Sequence, residues 1–317
     1  MSNSILNSLL LISVTQKASD LHLSSGEIPC IRINGQLQFI TRDKLIAKEL
    51  ENELLKLLND SQKNDLLQNK QIDFAYHHEE IGRFRVNIFY QYRGISAVFR
   101  VLNHQIPTLK EIGAPKVFNS LIQSDSGIIL VTGATGSGKS TTLASLIQFI
   151  NSTSAKHIIT LEDPIEFIYQ NDKSLIQQRE LADFSTVLES ILRQDPDIIL
   201  FGELRNKQSI QAALTAAETG HLVLATLHTC SAIQTINRII DIFPETSRNS
   251  IRTQLSNSLR AVISQKLVTN NNRRKASFEI LINTPAVSNL INEGKIKQIL
   301  SLMQTGQQYG MQIMHQD

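Results

Sequence analysis

The sequence predicts an α/β protein, in which a parallel sheet with crossover helices is preceded by a smaller α+β domain and followed by a helical C-terminal part. Four nearly continuous apolar runs follow one another after residue 127, with helical stretches between them. Such strands are buried on both faces of a parallel sheet. Before residue 103 the strands alternate apolar and polar residues, and after residue 230 the apolar residues recur mostly at helical spacing.

The N-terminal region is predicted to be an α+β domain over residues 1–102. Apolar positions at helical spacing over 3–18 predict a first helix, and Asn34-Gly35 predicts a hairpin within 29–40. Leu, Glu and Lys at a period of 3.6 over 44–69 predict further helix, after which three alternating segments are predicted strands. Helices and an antiparallel sheet of this size can share one core.

Composition excludes several classes of protein. Across 317 residues, Lys+Arg 31 against Asp+Glu 29 gives a net charge of +2, so charge offers no general case for a nucleic-acid partner. The apolar cluster at 9–14 is shorter than the roughly 20 residues of a membrane span, and a cytosolic location is predicted. Cys30 and Cys230 lack C-x-x-C spacing, so both are interpreted as small buried hydrophobes.

A phosphate-binding loop is predicted where the first apolar run meets a helix. Residues 133–140 fit G-x-x-x-x-G-K-[ST] without a mismatch. Its glycines let backbone N–H groups turn towards phosphates, while Lys139 reaches the β- and γ-phosphates and the Ser140 hydroxyl holds Mg²⁺. The predicted nucleotide-binding residues are Gly133, Thr135, Gly136, Ser137, Gly138, Lys139, Ser140 and Thr141.

Two further strands end in carboxylates. The run 197–203 ends in Glu203, which predicts a Walker-B-like residue that fixes Mg²⁺ or its water; the alternative is a Glu that caps the next helix. The run 157–167 breaks at an Asp-Pro step and carries Glu162, the candidate general base for an attacking water. An E-D-P turn is common in itself, so the hypothesis for Glu162 depends on the neighbouring motifs.

Histidines and arginines supply the remaining candidates. His221 and His228 lie at the two ends of one predicted strand, seven residues apart, so they face opposite sides and are not a joint metal pair. His228 ends at the same edge as Glu203 and could sense the γ-phosphate, or be a structural hydrogen-bonding residue. The arginines on adjacent predicted strands are either part of a solvated sheet face or a source of arginine fingers for a neighbouring subunit; they are Arg83, Arg85, Arg93 and Arg100.

The order of these motifs resembles the secretion ATPase superfamily, and within it the type IV pilus retraction ATPases. The resemblance is carried by GATGSGKSTTLASLI, TLEDPIEF, RQDPDIILFGELR and ALTAAETGHLVLATLHT, and it extends through ASDLHL, GRFRVN with AVFR, and QTGQQYGMQ. It therefore covers essentially the whole chain. Residues 1–102 resemble a PAS-like domain, 103–116 a linker, and 117–317 a RecA-like P-loop NTPase core with a helical C-terminal region.

The resemblance implies a homo-hexameric, Mg²⁺-dependent ATPase that drives pilus retraction and twitching motility. ATP would bind between the two domains, with Arg83 and Arg100 completing the site, and Ser140 and Glu203 holding Mg²⁺. The partner implied is an inner-membrane pilus platform protein, through which the ring would be peripheral at the inner face of the bacterial inner membrane, without direct contact to nucleic acid.

Some positions depart from the family pattern and keep alternatives open. The motif A-I-R-N-L-I-R-E, linked in the family to retraction, has Ser288 and Asn292 in place of its two arginines. Losing two fixed cations could weaken a contact that transmits motion while leaving hydrolysis intact. The alternatives are a nucleotide-binding regulatory ring that serves another retraction ATPase, and a type IV secretion ATPase.

Overall fold

The computed structural model of the chain describes residues 4–33, 35–102, 105–181, 187–270 and 273–314, and side chains in these ranges except those of 269, 270, 273 and 274. Two compact units are present, Met1–Gln105 and Ile106–Asp317. Asn34 of the predicted hairpin lies outside the described residues, as do the first two residues of the predicted linker. Every helix in the described ranges is too short or too polar to cross a bilayer.

The first unit has one antiparallel sheet with helices against it. Its elements are α1 (Ile5–Thr15), β1 (Asp20–Ser24), β2 (Cys30–Ile33), β3 (Gln36–Phe39), α2 (Ala47–Leu55), α3 (Asp60–Asn69), β4 (Gln71–His78), β5 (Gly82–Gln91) and β6 (Gly94–Leu102). The strand order over the described residues is β3-β2-β1-β6-β5-β4. Phe84 and Val86 of β5 are fully buried while Arg83 and Arg85 between and beside them are not, so the predicted alternation is confirmed.

The second unit alternates strands and helices along most of its length. Its elements are α4 (Val117–Leu121), β7 (Gly127–Thr132), α5 (Lys139–Thr153), β8 (His157–Glu162), β9 (Leu175–Glu180), α6 (Leu188–Leu192), β10 (Ile198–Phe201), α7 (Lys207–Glu218), β11 (Leu222–Leu227), α8 (Ala232–Asp241), α9 (Glu245–Ser258), β12 (Leu259–Asn270), β13 (Arg273–Ile282), α10 (Pro285–Asn292) and α11 (Ile299–Thr305), with 3₁₀ turns at Ile296–Gln298 and Gly306–Tyr309.

A mixed sheet forms the centre of this unit. Its strand order is β13-β12-β7-β11-β10-β8-β9 within the described residues, parallel throughout except for the antiparallel β13. All six residues of β7 and all six of β11 are buried, and separate apolar clusters cover the two faces. The four core strands predicted from apolar runs are therefore confirmed. Parallel pairing brings their carboxyl ends to one edge, which is where such sheets bind ligands.

The prediction of a mostly helical C-terminal part is wrong for β12 and β13. Helix α9 ends at Ser258, and the next residues pair with β7 in parallel, which buries Ala261, Val262 and Ile263 completely. A short apolar run fits a buried helix and a buried strand equally well by periodicity. Pairing with β7, more than a hundred residues earlier in the chain, decides between them here.

Strand β9 was not predicted from the sequence. It pairs in parallel with β8 at the edge of the sheet, and its sequence, Leu-Ile-Gln-Gln-Arg-Glu, is mostly polar. An edge strand has only one neighbour to hydrogen-bond and one partly covered face, so its composition resembles that of a loop. The sequence criterion of continuous apolar runs finds only the buried strands.

Candidate nucleotide-binding site

The site residues of the second unit follow four neighbouring strands. The predicted phosphate-binding loop joins β7 to α5, His228 follows β11, Glu203 follows β10, and Glu162 is the last residue of β8. These strands are adjacent in the order β7-β11-β10-β8 and are parallel. Their carboxyl ends therefore place the loop, the histidine and the two carboxylates along one edge of the sheet.

Tight backbone packing determines the shape of the loop. Gly133 has φ of 147°, and a Cβ there would lie 2.4 Å from the backbone oxygen of Gln265 and 2.6 Å from Ser137 Oγ. Gly136 (φ 77°) has open space around it, and Gly138 (φ 89°) faces the Gln265 side-chain nitrogen at 3.1 Å. Positive φ favours glycine at all three positions. The first glycine is also required by lack of space, whereas the second leaves room for a ligand.

The helix after the loop begins without a side-chain cap. Its N-cap, Gly138, makes no side-chain capping hydrogen bond. The first N–H groups of a helix have no partner within the helix, and together with the helix dipole they attract anions. Ser140 and Thr141 are half-buried in this first turn, and Thr135 and Gly136 are exposed at the tip of the loop. This arrangement fits a bound phosphate chain.

Lys139 is buried at the base of the loop. Its Nζ donates to the carbonyl oxygens of Gly133 at 2.8 Å and Ala134 at 3.0 Å. Burial lowers the pKa of Lys139, while the nearby carboxylates of Glu203 and Glu166 act in the opposite direction. The loop lysine is thus a desolvated donor within electrostatic reach of the carboxylates that follow β10 and β8.

Glu203 is held by two side chains. Its Oε1 contacts His228 Nε2 at 2.9 Å, and its Oε2 accepts from Arg205 Nε at 3.0 Å. Arg205 Nη1 also donates to Asp163 Oδ2 at 3.0 Å. Hydrogen bonding to Glu203 is the main reason why the pKa of Arg205 is raised. The predicted Glu203 and His228 are therefore in direct contact.

Glu162 lies in a more buried environment. Its Oε1 accepts from Thr160 Oγ1 at 2.7 Å and from Gln178 Nε2 at 3.3 Å. Burial raises the pKa of Glu162 in spite of these hydrogen bonds, and the neighbouring Glu166 carboxylate contributes in the same direction. A carboxylate with a raised pKa is a stronger base, which suits a residue that accepts a proton from water.

Two residues of this site were missed by sequence reasoning. Gln265 of β12 donates through Nε2 to the Ser137 carbonyl oxygen at 2.7 Å and is buried beneath the loop. Nothing in its sequence context indicates this contact, since β12 itself was not predicted. Arg205 lies two residues after Glu203, just beyond the end of a strand, but nothing in the sequence distinguishes it from the other arginines of the nucleotide-binding region.

Arg83 and Arg100 belong to the first unit. Arg100 Nε donates to Asp20 Oδ1 at 3.1 Å, and Asp20 is itself almost fully buried. Arg83 lies on β5 next to the strand that carries Arg100, where it is half-buried. Their predicted role in completing the nucleotide site stays a prediction.

The remaining predictions concern histidine and cysteine. His221, at the other end of β11 from His228, contacts Ala216 O at 3.0 Å through Nδ1, which is a structural hydrogen bond. The interpretation of both cysteines as buried is wrong: Cys30 is half-buried and Cys230 is exposed. Cys230 lies in the short connection between β11 and α8, where the backbone leaves the buried sheet.

The oxygen atoms of Ser140 and Glu203 are chemically suited to Mg²⁺. Mg²⁺ in nucleotide sites binds few protein oxygens and takes most of its ligands from phosphates and water. No cluster of three or more His, Cys, Asp or Glu side chains suited to a metal occurs among the residues described. A hydroxyl in the first turn of α5 and a carboxylate coupled to Lys139 are the type of donor set that this ion uses with a nucleotide.

Comparison with known proteins identifies the family. The model of the "Type II/IV secretion system protein" family matches residues 2–312. A twitching motility protein of Neisseria gonorrhoeae is 48% identical over 95% of this chain and 83% of its own length. The type IV pilus retraction ATPase PilT of Pseudomonas aeruginosa is 47% identical over 96% of this chain and 90% of its own length.

A solved structure agrees with these sequence matches. The crystal structure of the pilus retraction motor PilT with bound ADP superposes with a TM-score of 0.89 at 42% identity, covering 94% of this chain and 89% of that one. The RecA-like core implied by the family resemblance is consistent with this neighbour. The chain belongs to the type II/IV secretion system protein family, the secretion ATPase superfamily that includes the pilus retraction ATPases.

Proposed function

We propose that the chain is a homo-hexameric ATPase motor that uses ATP and Mg²⁺ to drive type IV pilus retraction, the pilin disassembly behind twitching motility. The observation that carries the proposal is the contact between Glu203 and His228 beside a complete phosphate-binding loop. Similarity to a pilus retraction ATPase over nearly the whole chain supports the choice of this motor among P-loop proteins.

Nucleotide binding would use the loop and the first turn of α5. The uncapped N–H groups of that turn and the backbone around Gly136 would bind the phosphates. Lys139 would exchange its two carbonyl acceptors for phosphate oxygens, a stronger partner for a cation. Because its amine is already buried, this exchange adds little desolvation. Ser140 and Glu203 would hold Mg²⁺, which when bound neutralises negative charge on the phosphates.

Hydrolysis would depend on the carboxylates at the sheet edge. Glu162 would orient the attacking water and accept its proton, and its raised pKa favours that role. Glu203 would hold Mg²⁺ while its carboxylate is kept in place by His228 and Arg205. His228, which contacts Glu203 directly, would sense the γ-phosphate. Arg83 and Arg100 would complete the site and stabilise the developing charge, as arginine fingers do in other NTPases.

The partners follow from the same proposal. Six copies would form a ring in the cytoplasm, peripheral at the inner face of the bacterial inner membrane, where a platform protein of the pilus would receive the motion. A ring lets one subunit supply arginines to the site of its neighbour. No direct contact with nucleic acid is proposed, since the net charge of +2 gives no electrostatic reason for one.

Turnover of the purified chain tests the enzymatic part. Phosphate release would be measured with Mg²⁺ and with a chelator, for wild type, Lys139→Ala and a matched control, Lys156→Ala. Lys156 is a lysine of the same unit that pairs with Asp197 at 3.5 Å, just before β8, away from the loop. Wild type and control should turn over only with Mg²⁺, and Lys139→Ala should not. Normal turnover in Lys139→Ala contradicts the proposal.

Retraction itself needs a cellular assay. Labelled pili would be imaged in cells where this chain is the only ATPase of its family, together with native mass spectrometry of the purified protein to determine ring size. Retraction that is lost in Lys139→Ala and kept in Lys156→Ala supports the motor. A hydrolysing ring that never retracts pili in such cells contradicts it.

A second candidate, a regulatory ring that serves another retraction ATPase, is favoured by α10. Ser288 Oγ donates to the Ser256 carbonyl at 2.9 Å, and Asn292 Oδ1 accepts from Thr253 Oγ1 at 3.0 Å. These positions, arginines in the family motif, are used here to tie α10 to α9 instead of presenting cations. ATP binding without turnover, with retraction only when another ATPase is present, would favour this candidate.

A further inference from the structure

The segment that carries Glu203 is fixed by its backbone on both sides. The Gly202 N–H donates to the Leu161 carbonyl at 2.8 Å, and the Leu204 N–H donates to the Thr226 carbonyl at 2.9 Å. The first bond ties the segment to β8 and the second to β11. Leu204 is also buried, with 5% of its surface exposed. The backbone around Glu203 therefore has little freedom, and the direction of the carboxylate depends on side-chain contacts.

The guanidinium of Arg205 supplies one of those contacts and also binds a second carboxylate, that of Asp163. Arg205 Nε donates to Glu203 Oε2 and Arg205 Nη1 donates to Asp163 Oδ2, each at 3.0 Å. Asp163 directly follows Glu162 at the end of β8. Separate N–H groups of a single planar side chain thus connect the loop after β10 with the loop after β8.

These ion pairs are poor candidates for a purely structural role. The side chain of Arg205 is 53% exposed and that of Asp163 is 37% exposed. Ion pairs at such exposed positions add little to folding stability because water screens them. The backbone bonds of Gly202 and Leu204 already hold the segment. What Arg205 adds is the direction in which the Glu203 carboxylate points.

We infer that Arg205 is a positioning residue for hydrolysis, which holds the Glu203 carboxylate against His228 and ties the loop after Glu162 to it through Asp163. The inference rests on the proposed function. His228 Nε2 contacts Glu203 Oε1 at 2.9 Å, so the two oxygens of this carboxylate are engaged by different partners. Removing Arg205 breaks the contact with one oxygen, so the carboxylate as a whole becomes freer to rotate. Because the N–H groups of Arg205 bind carboxylates, removing this side chain should lower the rate of hydrolysis and leave ATP binding intact.

Steady-state kinetics and nucleotide binding test this inference on the full chain. The variants are Arg205→Gln, Arg205→Lys, Asp163→Asn and the double change Arg205→Gln/Asp163→Asn. The matched control is Arg248→Gln, since Arg248 pairs with Asp241 at 3.6 Å at the end of α8 and lies outside the site. For each protein, kcat, KM for ATP, binding of a fluorescent ATP analogue and the melting temperature would be measured.

The expected result separates kcat from KM. Arg205→Gln should lower kcat roughly 10- to 100-fold, since a misplaced catalytic group costs about that much, with KM within about twofold of wild type. Arg205→Lys should recover part of the loss, because an ammonium keeps the charge but not the two fixed donors. The double variant should be no worse than Arg205→Gln, because Arg205→Gln already breaks the contact with Asp163 that Asp163→Asn weakens. Arg248→Gln should match wild type.

Other results would overturn the inference. They are an Arg205→Gln kcat within about twofold of wild type, a raised KM with kcat unchanged, and losses in the double variant that multiply. If Arg205→Gln does not fold, Arg205→Lys and Asp163→Asn provide the same comparison at milder cost. Absence of turnover in wild type would contradict the proposed function instead, so the two failures are distinguishable.

Discussion

The two sides of the candidate nucleotide site are held in place by different means. On one side, the phosphate-binding loop is shaped by backbone packing, with Gly133 pressed against Gln265. On the other, Glu203 is directed by side chains, His228 and Arg205, that are about half exposed. We therefore expect substitutions that change the shape of the loop to lower folding stability. Substitutions on the side that carries the carboxylates, the acidic side, should lower turnover and leave the fold intact.

The largest expected effect is on the acidic side. Glu162→Gln keeps the size of the side chain and an oxygen acceptor for Thr160 and Gln178, but it cannot accept a proton. Turnover should fall by about 10²- to 10⁴-fold, the usual contribution of a general base. The melting temperature should not fall. Phosphate release and thermal unfolding of the same samples measure both quantities.

A control for Glu162→Gln is the same change at Glu189, an exposed carboxylate on α6 of the same unit. It should leave both turnover and melting temperature unchanged. Turnover near the wild-type rate in Glu162→Gln would show that another group activates the water. A large fall in the melting temperature of Glu162→Gln would contradict the expectation that changes on the acidic side leave the fold intact.

The next effect belongs to the loop side. Gly133→Ala places a Cβ 2.4 Å from the Gln265 backbone oxygen, and backbone cannot move aside cheaply. We expect a destabilisation of about 3 kcal/mol, from overpacking and a disfavoured φ together. At Gly136, with φ of 77° and no atom within 4 Å of a Cβ, alanine should cost only about 1 kcal/mol of conformational strain.

Chemical denaturation of the two glycine variants measures this difference. Because the chain has two compact units, the transition of the second unit is the relevant one. Equal destabilisation by the two alanines would mean that backbone conformation alone, and not contact with β12, explains the glycine at position 133.

A smaller effect concerns the missed residue beneath the loop. Gln265→Met keeps the length of the side chain but removes the hydrogen bond to the Ser137 carbonyl. A buried hydrogen bond of this kind contributes about 1 kcal/mol. We expect a loss of that size in the unfolding free energy and a raised KM for ATP, because the loop loses a support. An unchanged KM would show that β12 does not help to shape the loop.

The smallest effect is a pH dependence of stability. Burial raises the pKa of Glu162 above its ordinary value of 4.5, so the folded state binds this proton more strongly than the unfolded state. That contribution to stability is complete below the unfolded pKa and is lost as pH rises through the folded pKa. Wild type should therefore lose stability relative to Glu162→Gln over this interval. A difference between them that does not change with pH would contradict the raised pKa.

Local signals made most of the site predictable. Glycine spacing in the loop, a strand before it and a helix after it gave β7 and α5, and the end of each apolar run marked Glu203 and His228. Parallel pairing then determines that such strand ends meet. The structure shows a contact between Glu203 and His228, which the sequence placed only at a common edge.

The parts that were missed depend on distant pairing. Strand β12 is a strand because β7 is available beside it, and the apolar run alone does not distinguish this from a helix. Gln265 supports the loop for the same reason. Arg205 contacts Asp163, 42 residues away, and no periodicity records such a contact. The polar edge strand β9 also forms because β8 is beside it.

The most direct test of the account is Mg²⁺-dependent turnover of wild type beside Glu203→Gln, with ATP binding recorded in the same samples. The amide keeps the shape of the side chain but removes the charge that pairs with Arg205 and His228. The account predicts that ATP still binds while turnover falls by at least about 100-fold. Wild-type rates in Glu203→Gln would contradict it, because the acidic side of the site would then not perform the chemistry.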